Sequence, residues 1–123
     1  MNDWNTGLMK HLGMRFVEVA ADRVVAELDV TEKLATVGGA VHGGTLMALA
    51  DTVGAAGTAA AGLRTATLES KTNFFAAAMA GTLRAESSAL HKGRRTHVWQ
   101  TRVTDASGRL LSLTIQTQMI LDK

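Results

Sequence analysis

The chain contains no cysteine and no proline among its 123 residues. Without cysteine it has no disulfide, no thiol nucleophile and no thiolate ligand for a metal, which fits a reducing cytoplasm. Without proline, its turns have to be made by glycine, aspartate, asparagine or serine. Aromatic residues make up only 4% of the chain, so alanine, valine, leucine and methionine have to fill the core.

The charge and the hydrophobic pattern exclude several classes of protein. A net charge of +2 is mild and gives no reason to expect a nucleic-acid partner. The first residues lack a basic segment followed by an apolar run, so we expect no signal peptide. The alanine- and glycine-rich stretch 53–63 is too short to span a membrane. We therefore expect one globular cytoplasmic domain over residues 1–123.

The stretch 41–61 organises the rest of the chain, because it is the longest segment with a helical pattern. A short amphipathic helix precedes it and should stop at Gly13. Alternating polar and apolar residues predict strands at 14–19, 23–30, 65–75, 82–90, 96–104 and 110–121. The predicted order is a β-hairpin, the long helix and a four-stranded antiparallel meander. This is an α+β fold in which one sheet covers one helix.

The long helix begins at His42-Gly43-Gly44, where the chain places an imidazole beside two glycines. The first turn of a helix has N–H groups without intrahelical partners, and it carries the positive end of the helix dipole. Such a helix start can stabilise a developing negative oxygen, and glycine lets a ligand carbonyl approach closely. A glycine pair before a helix is also typical of an ordinary turn, so this motif alone does not establish a site.

Asp51 is a carboxylate set among small and apolar neighbours of the same helix. It needs partners, so it is either a structural hydrogen-bonding group or a reactive acid. Eight residues separate it from Gly43, which corresponds to about 12 Å of helical rise and roughly 80° of rotation. If both groups act on one bond, the acid has to come from a second copy of the chain. A catalytic role therefore predicts an obligate dimer with its sites at the interface.

Several motifs together resemble the hotdog-fold acyl-CoA thioesterases of the phenylacetate-degradation (PaaI-like) and 4-hydroxybenzoyl-CoA thioesterase type. The resemblance covers roughly residues 10 to 121. The motifs that carry it are Val41-His42-Gly43-Gly44, Leu49-Ala50-Asp51, Thr67-Leu68-Glu69, Asn73-Phe74, Gly93-Arg94 and Asp105-Ala106-Ser107-Gly108-Arg109-Leu110.

The resemblance implies a hotdog fold, with one long central helix wrapped by a curved antiparallel sheet of five to six strands. It implies that two protomers pair their sheets edge to edge and that the dimers often stack further into tetramers. The implied reaction is hydrolysis of an acyl-CoA thioester to a free acid and CoA. No cofactor is implied, because CoA is part of the substrate.

The resemblance also assigns roles to individual residues. The N–H of Gly43 would polarise the thioester carbonyl, and His42 would orient the loop or bind near the thioester. Asp51 of the partner subunit would act as nucleophile or as general base, and Thr67 would position water or the acid. Family members often carry asparagine or glutamine a few residues before the histidine, where this chain offers only Thr36 or Thr31. They also usually have a proline where this chain has three alanines at 76–78.

Two regions are candidates for contact with the substrate. Lys92, Arg94 and Arg95 form the one basic cluster of the sequence, which is either a solvated hairpin tip or a site for the CoA phosphates. The acyl pocket would be lined by side chains of 46–54, Phe74, Phe75 and residues of the partner, which favours a small aryl or medium-chain acyl group. Gly44 and Thr36 are further candidates for contact with the substrate.

Other readings remain open at this point. The four histidines lack the spacing of a metal site, so we expect no metal. The same fold could support an acyl-CoA hydratase or dehydratase, or a non-catalytic acyl-CoA binding or regulatory protein. The variant Asp51→Asn should distinguish these functions. If Asp51 is the acid that hydrolyses the thioester, the variant should lose nearly all thiol release and still bind CoA.

Overall fold

Six antiparallel strands form one sheet that packs against one long helix. The computed structural model describes residues 4–122, apart from the side chain of residue 122. Each strand predicted from the sequence lies within two residues of its observed ends. The elements are α1 (Gly7–Leu12), β1 (Arg15–Val19), β2 (Arg23–Asp29), a 3-10 turn (Glu32–Leu34), α2 (Gly43–Ala60), β3 (Arg64–Phe74), β4 (Thr82–Lys92), β5 (Thr96–Thr104) and β6 (Leu110–Asp122).

The strand order in the sheet is β1-β2-β4-β5-β6-β3, and every neighbouring pair is antiparallel. The predicted four-stranded meander is therefore wrong at β3, since only β4, β5 and β6 follow one another as hairpins. The long helix separates β2 from β3, so β3 enters the sheet at its far edge beside β6. The next strand, β4, returns to pair with β2. Alternation along a strand defines its two faces but does not say which strand becomes its neighbour.

Helix α2 lies against one face of the curved sheet, and its small residues allow a very close approach. A Cβ atom at Gly57 would stand 2.3 Å from the ring of Trp99, which is fully buried. The indole Nε1–H of Trp99 donates to the hydroxyl of Thr58 at 2.9 Å, and His97 Nδ1 lies 3.0 Å from the same hydroxyl. The small residues of the alanine- and glycine-rich stretch therefore serve the tight packing of α2 against the sheet.

Strand β6 has an unusual distribution of polar and apolar side chains. Its buried face is polar and consists of Ser112, Thr114, Gln116 and Gln118. Ile115 and Met119 alternate with these residues and are exposed on the opposite face. Because the inner face of β6 packs against α2, a stripe of polar groups lies beside the middle of the helix.

Strand β3 forms one edge of the sheet and pairs only with β6 among the described residues. Its other side therefore presents a row of main-chain donors and acceptors that a further strand could pair with.

Over residues 4–122 we find no helix with the length and apolar character needed to cross a membrane.

Candidate active site

The first turn of α2 has one amide that is left for a ligand. His42 caps the helix, and its ring Nδ1 accepts the Gly44 N–H at 2.7 Å. The carbonyl of His42 accepts the N–H of Thr45 at 2.9 Å and that of Leu46 at 3.4 Å. Within residues 4–122 the N–H of Gly43 has no hydrogen-bond partner. The structure therefore selects Gly43 from the glycine pair as the free donor at the positive end of the helix.

Gly44 and Thr36 have other surroundings. A Cβ atom at Gly44 would stand 2.9 Å from His42 Nδ1, so this glycine makes room for the imidazole to fold back onto the helix. Thr36 is exposed in a tight turn, where its N–H donates to the Ala40 carbonyl at 2.7 Å. Its hydroxyl has no hydrogen-bond partner in the described part of the chain. The roles predicted for Gly44 and Thr36 toward the substrate stay predictions.

An aromatic ring flanks the free amide. A Cβ atom at Gly43 would lie 3.1 Å from Cζ of Phe74, so the ring stands over the glycine in the same protomer. Phe74 is 49% exposed, and Phe75 and Met47 are also exposed. The helix start therefore combines a free hydrogen-bond donor with apolar side chains that are open to a ligand.

Asp51 is held by side chains from two strands. Its Oδ1 accepts the hydroxyl of Thr67 on β3 at 2.5 Å. The amide Nε2 of Gln116 on β6 lies 3.2 Å from both Oδ1 and the main-chain oxygen of Asp51. The second carboxylate oxygen, Oδ2, has no hydrogen-bond partner among residues 4–122. The carboxylate is thus fixed through one oxygen and left open at the other.

Sequence reasoning paired Asp51 with Thr67 but missed Gln116 and Gln118. The side-chain oxygen of Gln118 lies 2.8 Å from the hydroxyl oxygen of Thr67 and accepts the amide of Gln116 at 2.8 Å. A signal for both glutamines is present in the sequence, because polar residues occupy every second position from 112 to 118. Only the fold shows that this polar face is the buried one.

The free amide and the acid lie far apart within one protomer. Both belong to the continuous helix α2, in which Gly43 is the first residue and Asp51 the ninth. Eight residues of helix correspond to about 12 Å along the axis. Within the chain, the free amide and the acid are therefore too far apart to contact the same thioester carbonyl.

The basic cluster does not act as a unit. Lys92 donates to the main-chain carbonyl of Ala21, and its Nζ lies 5.7 Å from the centroid of the Trp99 ring. Arg94 and Arg95, which we call the tip arginines, are exposed at the β4–β5 turn. Neither tip arginine has an ion pair with any residue in 4–122. The tip arginines are therefore available to an anion, whereas Lys92 is engaged within the protein.

Register connects the hairpin tip with the acid. Lys92 pairs with His97, His97 with Gln118 and Gln118 with Thr67, in one row across four strands. Lys92 at the hairpin tip and Thr67, the partner of Asp51, are thus three strand spacings apart, which corresponds to about 14 Å.

No group of three or more histidine, aspartate or glutamate side chains in the described chain is placed to hold a metal ion.

Comparison with known proteins identifies the family. Residues 38–112 match the model of the thioesterase superfamily, and this segment includes the helix start, Asp51 and Thr67. A curated relative, the 1,4-dihydroxy-2-naphthoyl-CoA hydrolase of Listeria monocytogenes, is 34% identical over 110 residues, which cover 87% of this chain and 89% of the relative.

Two solved structures share the whole architecture. AziG of S. sahachiroi has a TM-score of 0.92 at 28% identity and covers 96% of this chain and 98% of its own. The PaaI protein of E. coli, from the phenylacetic acid degradation operon, has a TM-score of 0.90 at 24% identity, with 96% and 86% covered, and supports the fold alone. The predictions of a hotdog fold and of a thioester hydrolase are confirmed. The chain belongs to the thioesterase superfamily.

Proposed function

We propose that this thioesterase hydrolyses small aryl- or medium-chain acyl-CoA substrates at sites formed between two copies of the chain. The observation that carries the proposal is the division of the helix into two half-sites. One is the free N–H of Gly43, and the other is the open carboxylate oxygen of Asp51. The relative from Listeria monocytogenes, named as a hydrolase of an aromatic acyl-CoA, supports an aryl substrate.

The distance between the half-sites supports a shared site. An oxyanion donor acts at about 3 Å from the carbonyl oxygen, and an attacking atom starts about 3–3.5 Å from the carbonyl carbon. The 12 Å estimated along α2 between Gly43 and Asp51 is too long for both contacts on one thioester. The acid therefore acts on the substrate held at the helix start of the other protomer.

The open edge of β3 offers the surface for pairing two protomers. Antiparallel pairing of two β3 strands would continue the sheet and bring the two α2 helices side by side in opposite directions. That arrangement turns the start of one helix toward the middle of the other. The exposed Ile115 and Met119 on the outer face of β6 suit a second contact, between dimers, in a tetramer.

The chemistry follows from the two groups. The N–H of Gly43 stabilises negative charge on the carbonyl oxygen as the carbon becomes tetrahedral. In one route, Oδ2 of Asp51 attacks the carbon, the C–S bond breaks to release CoA thiolate, and water then hydrolyses the mixed anhydride. In the other route, Asp51 takes a proton from a water molecule that attacks the carbon directly. The C–S bond then breaks, and the departing CoA thiolate takes the proton from Asp51. Both routes end with the free acid and CoA.

The surroundings indicate how the rest of the substrate is held. Phe74 stands beside Gly43 and provides an apolar surface for the acyl group, in company with the exposed Met47. The tip arginines carry fixed positive charge that suits the CoA phosphates. His42 accepts the Gly44 amide through Nδ1 and thereby fixes the loop that precedes the helix.

A thiol-release assay over aryl, short, medium and long acyl-CoA substrates tests this function. We expect aryl or medium-chain substrates to give the highest kcat/KM. Asp51→Asn should lose nearly all thiol release while calorimetry still detects CoA binding. Asp22→Asn, at an exposed aspartate outside the site, is the matched control and should keep full activity. Full activity of Asp51→Asn would refute the mechanism, and CoA binding without any thiol release by the native chain would indicate a binding protein.

A further inference from the structure

The two glutamines on the inner face of β6 are buried more deeply than their chemistry favours. Both Gln116 and Gln118 have 0% exposure. A primary amide taken out of water is destabilising unless its donors and acceptors find partners. Their hydrogen bonds form a chain that begins at a main-chain carbonyl and ends at Asp51.

The direction of this chain is fixed at its first link. The hydroxyl of Thr65 donates its single hydrogen to the main-chain carbonyl of Met119 at 2.8 Å. Thr65 Oγ1 can therefore only accept from Gln118, whose Nε2 lies 3.0 Å away. The oxygen of Gln118 then faces Gln116 and accepts its Nε2 at 2.8 Å. Gln116 in turn has to present its NH₂ group, and not its oxygen, to the carboxylate of Asp51.

In this orientation the side-chain oxygen of Gln116, Oε1, is buried and has no hydrogen-bond partner among residues 4–122. This oxygen faces Gly54, where a Cβ atom would stand only 2.4 Å from it. Rotating the amide would bring its oxygen to within 3.2 Å of Asp51 Oδ1, and two oxygens without a hydrogen between them repel. The glycine provides the space that the inward oxygen needs.

The hydroxyl of Thr67 completes the arrangement. Its one hydrogen faces two acceptors, Asp51 Oδ1 at 2.5 Å and Gln118 Oε1 at 2.8 Å. An ionised carboxylate is the stronger acceptor, and Gln118 already receives a hydrogen from Gln116. The hydrogen therefore goes to Asp51. Its Oδ1 is held by two donors, and Oδ2 remains the oxygen that can react.

We infer that Gln116 and Gln118 are positioning residues for Asp51, with Gln118 acting through Gln116. The chain of Thr65, Gln118 and Gln116, which we call the β6 relay, aims Oδ2 at the substrate of the partner subunit. This inference rests on the proposed function, because it gives the acid its orientation for thioester hydrolysis. Gln116 and Gln118 have no exposed surface and therefore act through Asp51 and not on the substrate directly.

Activity of two glutamine variants tests the inference. A 1 Å misplacement of a reacting group lowers a rate by as much as about 100-fold. Gln116→Met, which keeps the volume but removes the donor, should lower kcat roughly 10- to 100-fold with KM within about threefold. Gln118→Met should have a smaller effect, roughly 3- to 10-fold, since Gln116 loses its orienting acceptor but keeps its amide. Gln100→Met, on the outer side of β5, is the control and should match the native chain.

A second measurement needs neither substrate nor a Gln116 variant. The side-chain amide resonances of Gln116 in a ¹⁵N–¹H spectrum should shift in Asp51→Asn and in Gln118→Met, and should not shift in Gln100→Met. A Gln116→Met protein that folds and retains native kcat would overturn the inference while leaving the proposed function intact. Unchanged Gln116 amide resonances in Asp51→Asn would overturn it as well, whatever reaction the protein catalyses.

Discussion

Replacing Gly43 with proline removes the proposed oxyanion donor with little disturbance of the helix. Gly43 is the first residue of α2 after the cap His42. Proline is favoured at this helical position, because the N–H that it lacks has no intrahelical partner. The backbone of His42, at φ −61° and ψ 135°, is in the extended region that a residue before proline prefers. The variant therefore tests the donor and not the fold.

The expected effect of Gly43→Pro follows from the loss of one hydrogen bond to the developing oxyanion. Removing one such donor lowers kcat by roughly 100- to 1000-fold, or about 2.7–4 kcal/mol. The added carbons meet Phe74, since a Cβ atom at this position lies 3.1 Å from its Cζ, but that ring is half-exposed and can move. Thermal unfolding should show a melting temperature close to that of the native chain.

Gly43→Ala is the matched control, because it adds the same Cβ atom beside Phe74 and keeps the N–H. We expect it to lose less than about tenfold in kcat, which reports the steric part alone. Steady-state thiol release with the best substrate of the panel measures both variants. If Gly43→Pro matched Gly43→Ala in kcat while folding normally, the N–H of Gly43 would not be the oxyanion donor.

Three further predictions concern stability, pH and CoA. Gly57→Ala forces a Cβ atom into the ring of Trp99. Once the gain in helix propensity is subtracted, the variant should be less stable by about 1–2 kcal/mol, which corresponds to a fall in Tm of roughly 3–8 °C. Calorimetry measures this fall, and an unchanged Tm would contradict the tight packing. The pKa of Asp105 is lowered by hydrogen bonds, of which the largest contribution comes from the hydroxyl of Ser107. These hydrogen bonds stabilise the folded protein above about pH 4, and this stabilisation is lost as the pH falls through the lowered pKa. The Tm of Asp105→Asn should therefore fall less between pH 6 and pH 3 than that of the native chain, and equal slopes would refute this. Changing the tip arginines to glutamine should raise KM for acyl-CoA several-fold with little change in kcat, whereas truncated thioesters without the nucleotide should be unaffected; an equal effect on both substrates would exclude phosphate binding.

Local patterns in the sequence predicted the secondary structure well. Polar and apolar alternation marked the strands, and Gly13 ends α1 with φ 88°, as a helix-terminating glycine does. The position of β3 was wrong because pairing depends on which edge the chain reaches after the long helix. That choice is made by the packing of distant elements and leaves no trace in the alternation of a single strand.

Only part of the candidate site could be predicted, because some of its residues stand out locally and others acquire their role from the fold. The helix start and Asp51 stand out locally, because paired glycines and a lone carboxylate are unusual in an apolar helix. The positioning residues Gln116 and Gln118 do not stand out, since a strand with two alternating faces normally buries the apolar one. In β6, Ile115 and Met119 are exposed, whereas Gln116 and Gln118 are buried on the side of the strand that faces Asp51. A sequence pattern of period two could not say which face would be inside.

In the proposed site the donor and the acid belong to different subunits, and the activity of a mixture of two inactive variants tests this arrangement. Gly43→Pro retains the acid, and Asp51→Asn retains the donor. Random pairing of equal amounts makes about half of the dimers mixed, and each mixed dimer has one complete site out of two. Co-refolding the two variants should therefore restore about a quarter of the native thiol release. If the mixture stays as inactive as each variant alone while mixed dimers form, the donor and the acid do not complement each other across subunits, and the shared site is refuted.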